Sequence, residues 1–149
     1  MNWTLKSFND LTTRELYSIL QLRNEVFIVE QKCAYQDIDD KDLICFHLMA
    51  FDEANLTAYC RILAPGVSFE EASIGRVITS PKYRGMGLGV SLIEKAIVEV
   101  SNTFYTAKIK IGAQLYLKKF YESFGFEQTS EVYLEDGIEH IEMLINTPS

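Results

Sequence analysis

Residues 80–97 read SPKYRGMGLGVSLIEKAI, and this stretch decides the fold because a glycine-rich turn runs directly into a helical pattern. Three glycines alternate behind Arg84, namely Gly85, Gly87 and Gly89. Glycine lets the main chain approach a ligand closely, at an entropic cost to folding. The first N–H groups of a helix lack intrahelical partners and carry partial positive charge. The stretch therefore predicts an anion site at a helix N-terminus, to which Arg84 adds charge.

Two common phosphate-binding motifs do not fit this loop. A P-loop requires Gly-Lys-Ser or Gly-Lys-Thr, and neither occurs in the chain. A dinucleotide-binding turn requires G-x-G-x-x-G, and Val90 stands where its third glycine is needed. That fold also needs an acidic residue after the next strand to bind ribose, and residues 105–114 contain none. Both nucleotide interpretations are therefore disfavoured.

Patterning outward from the loop predicts an α/β layer architecture of about seven strands and three or four helices. The predicted strands are TLKSF (4–8), FHLMAFD (46–52), LTAYCRILA (56–64), ASIGRVITS (72–80), AKIKIGA (107–113), SEVYLE (130–135) and IEHIEML (138–144). A capping box of Thr12 and Glu15 predicts a first helix that ends near Glu30. Another helix follows the glycines, and a third ends at Gly125, with Phe126 placed for the contact beyond its end.

The connections also have recognisable signals. A hairpin is expected around residues 53–55, and Asp136-Gly137 predicts a two-residue hairpin turn. The segment 32–42 is polar, contains four aspartates and is predicted to be a loop. No repeat or linker-like tract divides the chain, so residues 1–149 are expected to form one domain.

Composition limits the class of protein. The 149 residues are 48% hydrophobic and 23% charged, as in ordinary globular proteins, and no apolar run is long enough to span a bilayer. A formal charge of −7 without a Lys/Arg cluster argues against nucleic acid and suits a cationic partner. The first residues lack a secretory signal pattern, and Cys33, Cys45 and Cys60 lack a C-x-x-C spacing. We therefore expect a cytoplasmic protein with reduced thiols, without a metal and without a membrane partner.

The pattern R-x-x-G-x-G, formed by Arg84, Gly87 and Gly89 after a strand, resembles the acyl-CoA pyrophosphate loop of the GNAT N-acetyltransferase superfamily. A second segment, AQLYLKKFYESFGF (113–126), resembles that superfamily's tyrosine helix, which ends in Gly-Phe. Tyr121 lies four residues before Gly125, where the family's tyrosine stands near the CoA sulfur. The stretches 16–43, with the later His47, 75–89 and 133–143 are similar to the ElaA-like branch, so the resemblance covers nearly the whole chain.

The resemblance implies a GNAT fold. This is a mixed, mostly antiparallel sheet of six to seven strands, with splayed central strands and helices on both faces. The strand GRVIT (75–79) is expected to splay from AKIKIG (107–112) and open a V for the pantetheine arm of acetyl-CoA, the expected co-substrate. The residues implied in cofactor binding are Val77, Ile78 and Thr79 through their main chain, Arg84, Gly85, Met86, Gly87, Leu88 and Gly89 at the pyrophosphate, and Tyr116 and Phe120 as walls.

The implied chemistry is direct attack of a neutral amine on the acetyl group, with Tyr121 as the general acid for the thiolate. A main-chain N–H near Ile78 is expected to polarise the carbonyl. The base stays open, because Ser73 stands where many relatives have a glutamate. The candidates are Glu30, His47 and His140, although each histidine fits a structural role in a strand equally.

Acceptor binding stays open as well. The candidate substrate-binding residues are Glu30, His47 and Arg76, of which Arg76 could bind a carboxylate or pair with a nearby acid. Glu135 and Asp136 are expected to be turn residues, whose charge near the cleft could also attract an ammonium group, and Cys33 is a minor candidate for an acyl-cysteine. The favoured function is an N-acetyltransferase acting on a primary amine of a small molecule or a protein, and the alternative is a catalytically weak acyl-CoA-binding sensor or interaction domain. A homodimer is compatible with either function.

Overall fold

The computed structural model describes residues 1–146, which contain eight strands and three α-helices. The strands are β1 (Asn2–Ser7), β2 (Phe46–Asp52), β3 (Asn55–Leu63), β4 (Ser73–Thr79), β5 (Lys108–Gln114), β6 (Glu127–Gln128), β7 (Tyr133–Glu135) and β8 (Ile138–Asn146). The helices are α1 (Thr13–Arg23), α2 (Leu88–Phe104) and α3 (Lys118–Glu122). Short 3-10 turns lie at Phe8–Asp10, Asp40–Leu43, Pro81–Tyr83 and Leu115–Leu117.

The strands form two antiparallel sheets that meet at one point. The first has the order β1-β2-β3-β4, and the second has the order β5-β8-β6, with β7 also paired to β8. A single parallel bridge between Ala72 and Ile109 joins them, where the Lys110 N–H donates to the Ala72 carbonyl at 2.9 Å. The splay of β4 from β5 is therefore confirmed. The expected count of six to seven strands is corrected to eight, because the two-residue strand β6 was not predicted; the predicted strand 130–135 is present as the shorter β7.

Helices cover both faces of the first sheet, as the resemblance implies. Alternate residues of β3 face opposite sides: Cys60 and Ile62 belong to the core under α2, whereas Tyr59 packs with Ile19 of α1. One face of α2 is buried through Leu88, Leu92, Ile93, Ala96 and Val100. Val90 is exposed at the helix start and does not belong to this buried face.

Local signals explain several element ends. Both bonds of the capping box form at α1: Glu15 N–H donates to Thr12 Oγ1 at 3.0 Å, and Thr12 N–H donates to Glu15 Oε1 at 2.8 Å. The first helix does reach Glu30, but residues 24–30 are wound as a π-helix rather than an α-helix. The sequence pattern does not distinguish these two windings.

Two glycine turns confirm the predicted connections. At the end of α3, Gly125 has φ +103° and donates to the Glu122 carbonyl, while Phe126 donates to Tyr121. This is a Schellman motif. The Tyr121 and Phe126 rings pack edge to face, with 5.9 Å between their centroids. Asp136 and Gly137 both have positive φ between β7 and β8, as a type I′ turn requires. No helix within residues 1–146 has the length and apolarity needed to cross a membrane.

Candidate active site

The gap between the diverging strands is a cleft of about 740 Å³. Its walls come from β4, β5, α3, the π-helical segment, loop 31–42 and the β7–β8 turn. A second hollow of about 240 Å³ lies over the glycine loop. The two share Thr79, Arg84, Gly89 and Phe120, so they form one continuous groove from the loop to the β7–β8 turn.

The glycine loop is shaped as the sequence predicts, although its glycines have different roles. Gly85 and Gly87 have φ of +83° and +75°, a region that L side chains rarely adopt, and a Cβ at either would meet open space. Gly87 is the N-cap of α2, so the free N–H groups of the helix follow it. Gly89 lacks a positive φ, and a Cβ there would make an ordinary contact with the Phe120 ring at 3.6 Å.

The remaining loop residues differ in whether they line the two hollows. Leu88 is buried and contributes to the second hollow, whereas Met86 is 62% exposed and lines neither hollow. Arg84 lines both hollows and holds Glu30 in a two-pronged ion pair, with N–O distances of 2.9 and 2.7 Å. The hydrogen bond from Arg84 lowers the pKa of Glu30, so this carboxylate is a weak candidate for a base.

Strand β4, which borders the cleft, carries a β-bulge in its pairing with β3. Tyr59 pairs with Ile78 and Arg61 with Gly75, so Arg76 and Val77 together lie opposite Cys60. Arg76 has φ +50°. Beyond Ala72, no described residue pairs with β4 on the side that faces β5. Val77, Ile78 and Thr79 line the cleft at this open edge, where main-chain groups are available to an extended ligand.

Tyr121 lies on α3 at the wall of the cleft and is only 6% exposed. Its ring is fixed by edge-to-face contacts with Phe120 and Phe126. Within residues 1–146 its hydroxyl makes no hydrogen bond. Burial raises the pKa of Tyr121 above the usual value for a phenol, so the group keeps its proton at neutral and alkaline pH. Tyr116 lines the same cleft but is largely exposed.

His140 lies in the cleft wall and is oriented by its own hairpin. Its Nδ1 lies 2.7 Å from the Ile138 carbonyl, and because a carbonyl only accepts, Nδ1 must donate. Nε2 is therefore left with a lone pair in the neutral ring, 3.5 Å from Glu135 Oε2. The ring also stacks on Tyr133. A nearby carboxylate can stabilise the imidazolium that forms when Nε2 takes a proton.

His47 is not brought to the cleft. It is buried on the α1 side of the first sheet, where Nε2 lies 3.0 Å from the Asp42 carbonyl and Nδ1 lies 2.6 Å from the Tyr59 hydroxyl. Both ring nitrogens are therefore engaged, and burial lowers the pKa of His47. Ser73, which stands in the position of the missing glutamate, is buried and does not line the cleft. Cys33 does line it, with Sγ 3.2 Å from the Asp136 carbonyl.

A buried charge cluster beside the cleft was not predicted from the sequence. It joins three arginines to three aspartates, namely Arg23, Arg61 and Arg76 with Asp37, Asp39 and Asp42. Although burial acts in the opposite direction, the bond to Arg61 and its charge hold the pKa of Asp39 at about 2. The available signal was an arginine among apolar neighbours in each of two strands, facing a loop with four aspartates. Within residues 1–146, no group of His, Cys, Asp and Glu is arranged to hold a metal ion.

Comparison with known proteins identifies the family. Residues 10–147 match the family described as acetyltransferase (GNAT) domain. Protein ElaA of Escherichia coli is 41% identical over 145 residues, which cover 96% of this chain and 95% of ElaA. The crystal structure of E. coli ElaA matches with a TM-score of 0.90 over 97% of this chain and 99% of that chain. An acyl-CoA N-acyltransferase from Pseudomonas aeruginosa is 44% identical, with a TM-score of 0.92 over 97% of this chain and 99% of that chain. The chain therefore belongs to the GNAT acetyltransferase family, as an ElaA-like transferase.

Proposed function

We propose that the protein transfers an acetyl group from acetyl-CoA to a primary amine by direct attack in a ternary complex. The observation that carries the proposal is the continuous groove, which runs from the glycine loop past the open edge of β4 to Tyr121 and His140. Acetyl-CoA supplies an acetyl thioester, whose carbonyl carbon bonds to the amine nitrogen as the carbon–sulfur bond breaks.

The donor end of the groove fits a pyrophosphate and an extended amide chain. The loop from Gly85 to Gly89 presents main-chain N–H groups at the start of α2, and no Cβ blocks Gly85 or Gly87. Arg84 adds a guanidinium that is paired with Glu30. When a phosphate binds, this guanidinium must either leave Glu30 or contact Glu30 and the phosphate together. The unpaired edge of β4 suits the amides of a pantetheine arm, because an extended segment can add to it as a strand would.

The acceptor end supplies a base and a suitable charge. We assign the base to His140, whose Nε2 accepts the proton that the amine loses, while the bond from Nδ1 to Ile138 fixes the tautomer. Glu135 lies beside that nitrogen, and Asp136 also lines the cleft. These carboxylates favour a cationic amine at the entrance. Tyr121 then donates its proton to the departing sulfur, and a main-chain N–H of β4 stabilises the carbonyl oxygen as charge develops.

A thiol-release screen with acetyl-CoA and a set of amines, amino acids and peptides tests the reaction. The base is tested with His140→Gln on the best acceptor. General bases contribute about 10²–10⁴ in rate, so we expect a loss of that order near pH 7. The loss should shrink towards pH 10, because more of the amine is then already neutral. Glu139→Gln is the matched control, since Glu139 is an exposed neighbour on the same strand and does not line the cleft.

Two outcomes would contradict this proposal. An equal deficit of His140→Gln at every pH would remove His140 from the role of base. Binding of acetyl-CoA without thiol release for any acceptor would favour the acyl-CoA sensor over the enzyme.

A further inference from the structure

We infer that Asp37 is a positioning residue for acetyl transfer: through Arg76 it holds the β4 bulge beside which the acetyl group is placed. The consequence for transfer rests on the proposed function, whereas the contacts among Arg23, Asp37 and Arg76 do not depend on it.

The bulge is strained at Arg76. This residue has φ +50°, a left-handed conformation that an L-residue with a side chain rarely adopts. Such residues persist where the surrounding structure holds them in place. Pairing with β3 does not do so by itself, because Arg76 and Val77 share the single opposite position at Cys60. Contacts of the Arg76 side chain must therefore contribute to fixing the bulge.

One residue dominates those contacts. Arg76 Nε lies 2.8 Å from Asp37 Oδ1, and Arg76 Nη2 donates to the main-chain carbonyl of Asp37 at 3.0 Å. Asp39 Oδ2 lies farther away, 3.6 Å from Nη2, and the Tyr35 ring lies 5.8 Å from the guanidinium carbon. The contact of Nε is a close ion pair without hydrogen-bond geometry, so the hydrogen bond from Nη2 orients the guanidinium while the ion pair holds it beside Asp37. Arg76 is thus held mainly by Asp37.

Asp37 is itself anchored from the opposite side. Arg23 Nε donates to Asp37 Oδ2 at 2.8 Å, and Arg23 Nη2 donates to the Asp37 carbonyl at 2.8 Å. Arg23 is fully buried at the end of α1, and its Nη1 donates to Asp42 Oδ1 at 2.7 Å. Asp37 therefore lies between two guanidiniums, one on a packed helix and one on the bulge. This arrangement connects the position of the bulge to α1.

The same contacts argue against carboxylate binding by Arg76. Its Nε and Nη2 already face Asp37 and Asp39, so a substrate carboxylate would have to displace a buried aspartate. Val77 and Ile78 follow directly in the chain and line the cleft. A shift of about 1 Å in catalytic geometry can cost on the order of 10²-fold in rate. Holding the bulge is therefore sufficient to explain why Arg76 is paired with Asp37.

Arg76→Gly tests the inference, because it removes the guanidinium and the left-handed strain together. We expect a folded protein whose acetyl-CoA affinity falls only a few-fold, because the glycine loop is untouched and only the pantetheine contacts of β4 loosen, but whose kcat is about 10- to 100-fold lower. Amide hydrogen exchange should become faster in residues 74–78 and stay slow in β2. Glu53→Gly is the matched control: Glu53 has φ +53° in the β2–β3 turn and lines neither hollow, so this variant should keep the wild-type kcat.

Asp37 is tested through its dependence on Arg76. Asp37→Asn should lower kcat in the wild-type background and lower it little further in the Arg76→Gly background. Because Asp37→Asn also disturbs the buried Arg23 and can impair folding, chemical rescue provides a second measurement. Millimolar methylguanidinium should restore part of the kcat of Arg76→Gly, since Asp37 remains there to hold it.

Wild-type kcat and unchanged β4 exchange in Arg76→Gly would overturn the inference, as would faster exchange with normal transfer. If wild-type protein binds acetyl-CoA but acetylates no amine, the proposed function fails instead. The exchange result then decides by itself whether the Asp37–Arg76 pair holds the bulge.

Discussion

Tyr121 shows how a place at a helix end prepares one residue for its proposed role as general acid. It is the residue whose carbonyl accepts the Phe126 N–H of the Schellman motif, so its position is fixed by the turn at Gly125. Its ring is packed between Phe120 and Phe126. Its hydroxyl has no partner within residues 1–146, and burial raises its pKa. These features keep a proton at the cleft wall.

Tyr121→Phe should therefore separate catalysis from stability. Removing this hydroxyl leaves no partner unsatisfied, so we expect an unchanged melting temperature and acetyl-CoA affinity. We expect kcat to fall about 100-fold, the lower range for loss of a general acid. In wild-type protein the raised pKa also means that no loss of rate should appear near pH 10 from ionisation of Tyr121. Stopped-flow thiol release checks both points, with Tyr17→Phe on the exposed side of α1 as control. Equal kcat in Tyr121→Phe and wild type would contradict the acid role.

The two histidines mark the limit of prediction from sequence at this scale. His47 and His140 both stand in strands and have similar neighbours, so periodicity alone gives them equal standing. Register separates them: His140 pairs with Gln114 at the cleft end of β5, whereas His47 pairs with Lys6 and Arg61 inside the first sheet. Register depends on long-range pairing, which one sequence does not encode in any local signal.

At the scale of elements, the predictions that succeeded rest on local chemistry. The capping box at Thr12, the turn at Gly137 and the helix end at Gly125 each need only neighbouring residues. The π-helical winding of residues 24–30 and the bulge at Arg76 were not predicted. The bulge depends on contacts with residues far away in the sequence, and nothing in the local pattern of residues 24–30 marks their winding.

The glycine loop allows a prediction about a whole element. Gly87→Glu should abolish acetyl-CoA binding, because it adds bulk and negative charge in the hollow over the N-terminus of α2. The substitution also introduces backbone strain, since Gly87 has φ +75°. Gly66→Glu carries a comparable strain at φ +91° with open space around it and lies outside both hollows. Isothermal titration calorimetry should show binding by Gly66→Glu and none by Gly87→Glu.

Gly89→Ala completes that comparison. Gly89 has no positive φ, and an added methyl group there would make only an ordinary contact with Phe120. We therefore expect the Gly89→Ala variant to bind acetyl-CoA. Unchanged affinity in Gly87→Glu would contradict the assignment of the loop to the pyrophosphate.

At the scale of the whole molecule, the charge cluster connects parts that the sequence keeps apart. It joins α1, loop 31–42, β3 and the β4 bulge, so the wall of the cleft and the first sheet are held by the same ions. The sequence gives the overall fold class because both GNAT-like motifs lie in one segment, 73–126. The sequence does not predict the charge cluster, because its members are spread over more than fifty positions and come into contact only after the strands pair.

The ion pairs of this cluster make the stability of the folded protein depend on pH in acid. Asp39 is the most accessible acid of the cluster. The pKa of Asp39 is lowered from 3.8 to about 2 in the folded protein, so its contribution is complete above about pH 4 and is lost as pH falls through 2. We expect Asp39→Asn to reduce the free energy of unfolding by about 1 kcal/mol at pH 7, because solvent screens part of the ion pair. The difference from wild type should shrink between pH 4 and pH 2. Urea unfolding at several pH values measures this, with the exposed neighbour Asp40→Asn as control. A difference that stays constant down to pH 2 would show that the carboxylate of Asp39 acts through packing rather than through its charge.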